Sequence, residues 1–274
     1  MKKVLFGAVA ALAMLTAASA YADNNSSTVE QDGNSNVAAV DQSLGSGGTA
    51  SIDQISNGNF ADVQQWGAGA NTASVTQNND GDWDGNTAYV VQLGANGGMA
   101  TISQQGTNFA EVYQDVDASG ESATITQVGY NPGSWGAGGA SIYQDGSGDV
   151  ASISQNGLYN SAFTEQLGVS NQSSISQDSN ETATVVQEGE LGLSTVNQSN
   201  GSNVATVLQT NEYDTSDVEQ FGSDTASVTQ TGYDAWSLVQ QNGTSNTAAV
   251  TQASNFDWST VTQNGVSNVA TVVQ

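Results

Sequence analysis

The side chains able to do chemistry are few in kind. The chain of 274 residues holds 27 Asp and Glu, no His, no Cys and two basic residues, Lys2 and Lys3, for a net charge of −25. Without His there is no imidazole to activate a Ser hydroxyl or to ligate a metal. Carboxylate pairs can move protons in catalysis, but their spacing recurs along the chain and singles out no pair, so no enzymatic activity is expected. There is no cationic patch for nucleic acid or anionic lipid. One acidic segment, NNDGDWDGN at 78–86, sets Asp80, Asp82 and Asp84 before Gly85 like the opening of a calcium loop. The twelfth position is Val91 rather than Glu, so the segment reads as a solvated acidic arc, with cation binding as the alternative. Catalytic, cofactor and metal sites are expected to be absent.

What does repeat is an amide. A Gln recurs in 22 units from Gln31 and Gln42 to Gln252, Gln263 and Gln274, and 12 of the 21 intervals are 11 residues. Two residues before it stands Val or Ile, as at Val29, Val40, Val250, Val261 and Val272, with Thr164 the one exception. Four before it stands Ala or Ser, as at Ser259 and Ala270, and six before it Asn is commonest. No acidic residue occupies the Ala, Val or Gln positions. A stacked amide can donate along its column and accept from it, so the candidate functional chemistry is a ladder of Gln.

The elements that must hold such a ladder follow from the spacing of two. Alternate side chains of a strand share a face, so Ala, Val and Gln point inward and the Thr, Ser and acidic positions between them face water. Helical periodicity does not fit. Q-x-G segments such as QNGLYN from Gln155 supply Gly and Asn for sharp reversals. Over the last ten units the small residue alternates, Ser173, Ala183, Ser194, Ala205 and so on to Ser259 and Ala270. One rung is therefore strand, arc, strand, arc, about 22 residues, and the 22 units make eleven.

One rung cannot fold alone. Burying its Val contributes about 1.5–3 kcal/mol, against about 1–2 kcal/mol of backbone entropy for each residue ordered. Stacking at ~4.8 Å supplies the missing pairing. The predicted fold is all-β, a parallel β-solenoid of two sheets. A hairpin meander is the rival, but it leaves the inward Gln unexplained. Ala facing Val leaves no room for an enclosed ligand pocket, which places function on outer faces or ends. With Ser27, Val29 and Gln31 in motif at the start and Gln274 at the end, both terminal strands are expected to expose unpaired backbone groups and to polymerise head-to-tail.

Residues 1–20 read as a signal peptide, with Lys2 and Lys3, an apolar run and Ala18-Ser19-Ala20, and residues 21–274 as the repeat array. A membrane anchor is the alternative, though the apolar run is short of the ~20 residues a span needs. Longer arcs fall between 78 and 139, including a loop with Tyr130, Pro132 and Trp135 that reads as an insertion or a surface contact. Phe60, Tyr89, Phe109, Tyr113, Tyr143, Trp236 and Trp258 take outward positions, where they cover the sheets or contact a surface.

The alternation of Ser units with N-x-A-x-V-x-Q units such as NTAAVTQ at 246–252, joined by Q-x-G-x-x-N arcs, resembles the curlin repeat of curli subunits over residues 27–274. The resemblance implies an extracellular functional amyloid fibre serving adhesion and biofilm matrix. It also implies a homopolymer, a nucleating companion subunit and an outer-membrane secretion pore, with no membrane insertion. The chain departs from the family in having more rungs, and in having only a few residues from Tyr21 where family members carry a secretion-targeting segment. The rival readings are a monomeric ice- or surface-binding solenoid, suggested by outward pairs such as Thr124 with Thr126 and Ser227 with Thr229, and a non-polymerising adhesin.

Overall fold

A computed structural model describes residues 24–79, 85–94, 96–115, 119–132 and 139–274. The expected signal peptide, the Asp80–Asp84 arc and Trp135 lie outside the described residues. Those described form twenty strands and no helix.

The chain winds as a parallel β-solenoid of about eleven tiers, as the repeat predicts. Each unit pairs with the unit two further on, never with its neighbour in sequence. Strand Ser26–Asp32 lies parallel to Thr49–Ile55 with Gln31 opposite Gln54. Val37–Asp41 lies parallel to Phe60–Ala68 with Val40 opposite Val63. The same register runs to the other end, where Gln241 faces Gln263 and Ala248 faces Ala270. Odd-numbered units thus build one sheet and even-numbered units the other, and the Ser/Ala alternation becomes a Ser column facing an Ala column. Some arcs are so extended that two units merge into one long strand, as in Met99–Gln114 and Trp236–Gln252.

The core is a thin seam between the sheets. Ile52, Val75, Ile102, Ile125, Ile153 and Ile175 stack on one side, and Val63, Val90, Val112, Ile142 and Val185 on the other, all with at most 1% of their surface exposed. Thr164, the exception in this position, is fully buried, and its hydroxyl meets that of Ser173 across the seam at 3.2 Å. The odd residue is therefore answered by the Ser column opposite it.

The arcs hold two kinds of left-handed residue. Gly129 has φ 116°, and a Cβ there would stand 2.0 Å from the carbonyl oxygen of Gly157 in the next tier. The second kind was not expected from the sequence. Non-glycine residues just before the Asn position, among them Tyr159, Ser170, Leu191, Tyr213, Ser245 and Ser267, have φ between 56° and 62°. Neighbouring tiers hold them there: Tyr159 N–H donates to Tyr130 O at 2.8 Å and Leu191 N–H to Val169 O at 2.9 Å. These bonds offset a local strain of about 1–2 kcal/mol per residue.

The insertion between Gln127 and Gln144 also departs from the count. Six residues before Gln144 is residue 138, but Asn131 fills that place in the column, bonded to Asn108 below and Asn160 above. The next strand begins at Gly139.

Candidate functional site

The candidate site is the pair of Gln columns and the two solenoid ends where they stop. In the odd sheet every Nε2 from Gln31 to Gln241 donates to Oε1 of the Gln in the next tier, at 2.6–3.0 Å. In the even sheet the chain of bonds runs from Gln42 to Gln274 at 2.6–3.3 Å. All of these bonds point the same way, nitrogen toward the C-terminal end. The second amide hydrogen crosses the seam: Gln54 donates to Val37 O at 3.0 Å and Gln209 to Leu193 O at 3.1 Å. Each interior Gln thus uses both donors and its acceptor, and ties tier to tier and sheet to sheet.

The predicted ladder residues differ by position. Gln252 and Gln263 are buried, with Val250, Val261 and Ser259 beside them. In the end tiers Gln31, Gln42, Val29, Val40, Val272 and Ala270 are half-buried and Gln274 is exposed. Gln263 and Gln274 spend one N–H on Thr247 O and Trp258 O, and their axial N–H meets no acceptor among the described residues. At the opposite end Oε1 of Gln31 and Gln42 receives no donor among the described residues. One end therefore presents amide donors and the other amide acceptors.

The outward positions mostly meet solvent, with two exceptions. Phe109 and Glu111 are 6% and 8% exposed, covered by aromatic neighbours in the even sheet. Tyr89 and Phe109 pack at 6.0 Å between ring centroids, and Tyr113 stacks on Tyr143 at 5.2 Å with planes 8° apart. Ser141, small between Glu111 and Phe163, leaves a pocket of about 260 Å³ on the outer face beside those tyrosines. Burial holds the Glu111 carboxyl above its ordinary range, although Ser141 Oγ donates to it at 3.4 Å. The paired hydroxyls sort more regularly than the linear sequence shows. Ser74 with Thr76, Thr101 with Ser103, Thr124 with Thr126, Ser152 with Ser154 and Ser174 with Ser176 lie in five successive tiers of one sheet.

A second polar column was only half visible in the sequence. Six residues before each Gln, Asn36, Asn59, Asn86 and Asn108 form a buried ladder in which Oδ1 accepts the backbone N–H of the next tier at 2.9–3.1 Å. Acidic residues take that place in Glu121, Asp149, Glu181, Asp214 and Asp224, and all five are at most 1% exposed. Tabulating the sixth position unit by unit would have found them. Among the described residues no group of three His, Cys, Asp or Glu is placed to hold a metal ion. None of the described helices is long and apolar enough to cross a membrane, there being no helix at all.

Residues 22–55 match the family model of the curlin associated repeat. Among curated proteins none matches the chain.

Proposed function

We propose that the chain, whose residues 22–55 match the curlin associated repeat, is a curlin-repeat protein and the structural subunit of an extracellular curli-like fibre, exported by its signal peptide and serving adhesion and biofilm matrix. The observation that carries the reading is the single direction of both Gln ladders. Donors at one end and acceptors at the other make a head-to-tail junction complementary and a head-to-head junction repulsive. The side chains agree as well as the amides do. Setting a second copy on the C-terminal tier places Ser27 over Ser259, Val29 over Val261 and Gln31 over Gln263. It places Ala38 over Ala270, Val40 over Val272 and Gln42 over Gln274. Each of these inward columns continues in kind. A heterologous contact that does not close generates a filament. Val269 and Val273 in the last strand are 77% and 74% exposed, so the junction also removes apolar surface from water. A nucleating companion subunit and an outer-membrane pore belong to the same reading, as the resemblance to curli subunits implies.

Seeded growth tests it. Replacing Gln263 and Gln274 with Ala removes the donors of one end, and elongation should slow more than tenfold, where the outward pair Thr260→Ala and Thr271→Ala changes it less than twofold (about 1.4 kcal/mol per tenfold). Equal rates for the two double variants would remove the ladder from the mechanism.

A second reading, a monomeric surface-binding solenoid, draws on the five tiers of paired hydroxyls. It requires a purified chain that stays monomeric in size-exclusion chromatography over days, and a fibre subunit does not.

A further inference from the structure

The aspartates in the Asn column occupy an amide's place with one atom changed, and Glu121 and Glu181 stand there with one methylene more. An Asn there does two things. Its Oδ1 accepts the next tier's backbone N–H, and its Nδ2 donates to an arc carbonyl: Asn160 to Asn156 O at 2.9 Å, Asn171 to Gly189 O at 2.9 Å, Asn246 to Gly265 O at 3.0 Å. Asp149, Asp214 and Asp224 keep the first task. Their Oδ1 accepts from Asn171 N at 2.7 Å, Ala235 N at 3.1 Å and Asn246 N at 2.8 Å. The second task is vacant. Oδ2 of all three is buried without a hydrogen-bond partner, and so are both oxygens of Glu121.

The unpartnered oxygens of Asp149 and Asp224 lie where the amide nitrogens lie. Nδ2 of Asn171 and Asn246 sits against the arc glycines Gly168 and Gly243, and Oδ2 of Asp149 and Asp224 sits against the corresponding Gly146 and Gly222. The carbonyl of Gly168 crowds the same point as Asp149 Oδ2, and that of Gly243 the same point as Asp224 Oδ2. An ionised carboxylate there turns lone pairs toward a carbonyl oxygen. A neutral carboxyl turns an O–H toward it and restores the amide's bond.

We propose that Glu121, Asp149 and Asp214 are proton-binding sites that latch the arcs, so that closing the solenoid takes up protons and proceeds furthest in mildly acidic surroundings. The neighbouring groups favour the neutral form. Glu121 faces Asp149 in the next tier, with Asp145 and Asp115 nearby, and the Gly146 N–H lies close enough to oppose their effect without closing a hydrogen bond. Asp149 has Asp145 beside it, and Asp214 has Asp234. No Lys, Arg or His exists in the described residues to pair with any of them. Burial, the largest cause, pushes Glu121 up to about 8 and Asp149 and Asp214 up to about 6. Glu181 is a different case. Its carboxylate accepts from Asp178 N at 2.6 Å and from Asn203 Nδ2 at 3.0 Å, so no oxygen is left without a partner, although burial still pushes the group up to about 7 and it adds to the pH dependence.

The sign follows from these directions. A carboxyl whose folded pKa lies above its unfolded one favours the folded state fully below about pH 4, and that preference is lost as pH rises through the folded value. For Asp149 and Asp214 the folded-to-unfolded ratio should fall by about a hundredfold each between pH 4 and pH 7.5. The proposal concerns one chain closing on itself and stands whether or not copies then join.

The test is denaturant unfolding of the full chain, followed by circular dichroism at concentrations too low for assembly. The wild-type midpoint should rise as pH is lowered from 7.5 to 5. In the triple variant Glu121→Gln, Asp149→Asn, Asp214→Asn, the midpoint at pH 7.5 should exceed wild type and the pH dependence should shrink to the part that Glu181 carries. The variant Glu188→Gln, Glu190→Gln, Glu212→Gln removes three exposed charges and should keep the wild-type slope. If the exposed variant flattens the profile as much as the buried one, or the buried one keeps the slope, the proposal fails. Should the buried variant not fold, infrared spectra of wild type decide: a neutral carboxyl stretch at pH 5.5 that fades by pH 8.5 supports the latch, and its absence at pH 5.5 overturns it.

Discussion

Removing one Gln from the middle of a ladder should cost far more than its size suggests. Gln209 donates to Gln230 Oε1 at 2.9 Å and to Leu193 O at 3.1 Å, and accepts from Gln187 Nε2 at 2.8 Å. Gln209→Ala therefore orphans three buried groups at once: the Gln187 amide donor, the Gln230 acceptor and the Leu193 carbonyl. Each buried group left unmet costs about 1–3 kcal/mol. Water entering the vacated space re-serves part of that, so the lower half of the range applies and the loss is about 3–5 kcal/mol. Thr206 lies in the same strand and is exposed; Thr206→Ala should stay within about 0.5 kcal/mol. Equilibrium unfolding in guanidinium reads both. Tiers touch only their neighbours, so the Gln209 variant should also broaden or split its transition as the tiers on either side of the break uncouple. Two variants with the same midpoint and the same slope would refute the ladder as a source of stability.

Two further substitutions test the packing. Thr164→Val restores the usual residue but leaves the buried Ser173 hydroxyl without its partner at 3.2 Å, so it should destabilise by about 1 kcal/mol, and adding Ser173→Ala should recover that loss in a double-mutant cycle. Gly129→Ala puts a methyl 2.0 Å from Gly157 O at φ 116°, a clash with rigid backbone, and should lower the unfolding midpoint more than any exposed Ala substitution in the same tier.

The fold was legible because the chain repeats a strand-period pattern with a two-unit alternation. The Val, Ala and Gln positions fixed which residues face inward, and the Ser/Ala alternation told which units stack. Contacts made across tiers were not legible. Nothing next to Thr164 in sequence points to Ser173, which meets it across the seam. The loop after Asn131 hides that residue's membership of the Asn column, because counting back from Gln144 lands on residue 138. Tyr159 and Leu191 take left-handed backbone although their side chains disfavour it, since the strain is offset by hydrogen bonds from the tier below. The direction of the ladder was not legible, because an amide's orientation depends on the whole column rather than on its own spacing.

Direction also accounts for a difference between the two polar columns. Carboxylates occur in the Asn column at Glu121, Asp149, Glu181, Asp214, Asp224 and Asp257, yet Glu never replaces a column Gln. An interior Gln donates twice and accepts once. A carboxylate in its place would set oxygen against the next Gln Oε1 and against a cross-seam carbonyl, and a single proton could mend only one of those contacts. An Asn in the arc has its acceptor engaged by the next tier's N–H, and Asp149, Asp214 and Asp224 keep that bond. Only the bond to the arc carbonyl is lost, and one proton mends it. The arc position even dispenses with a polar side chain altogether at Gly48, Gly98, Gly192 and Ala235. The same geometry that forbids charge in the Gln ladders thus admits titratable groups one column away, and lets acidity act on the arcs while the amide ladders stay indifferent to it.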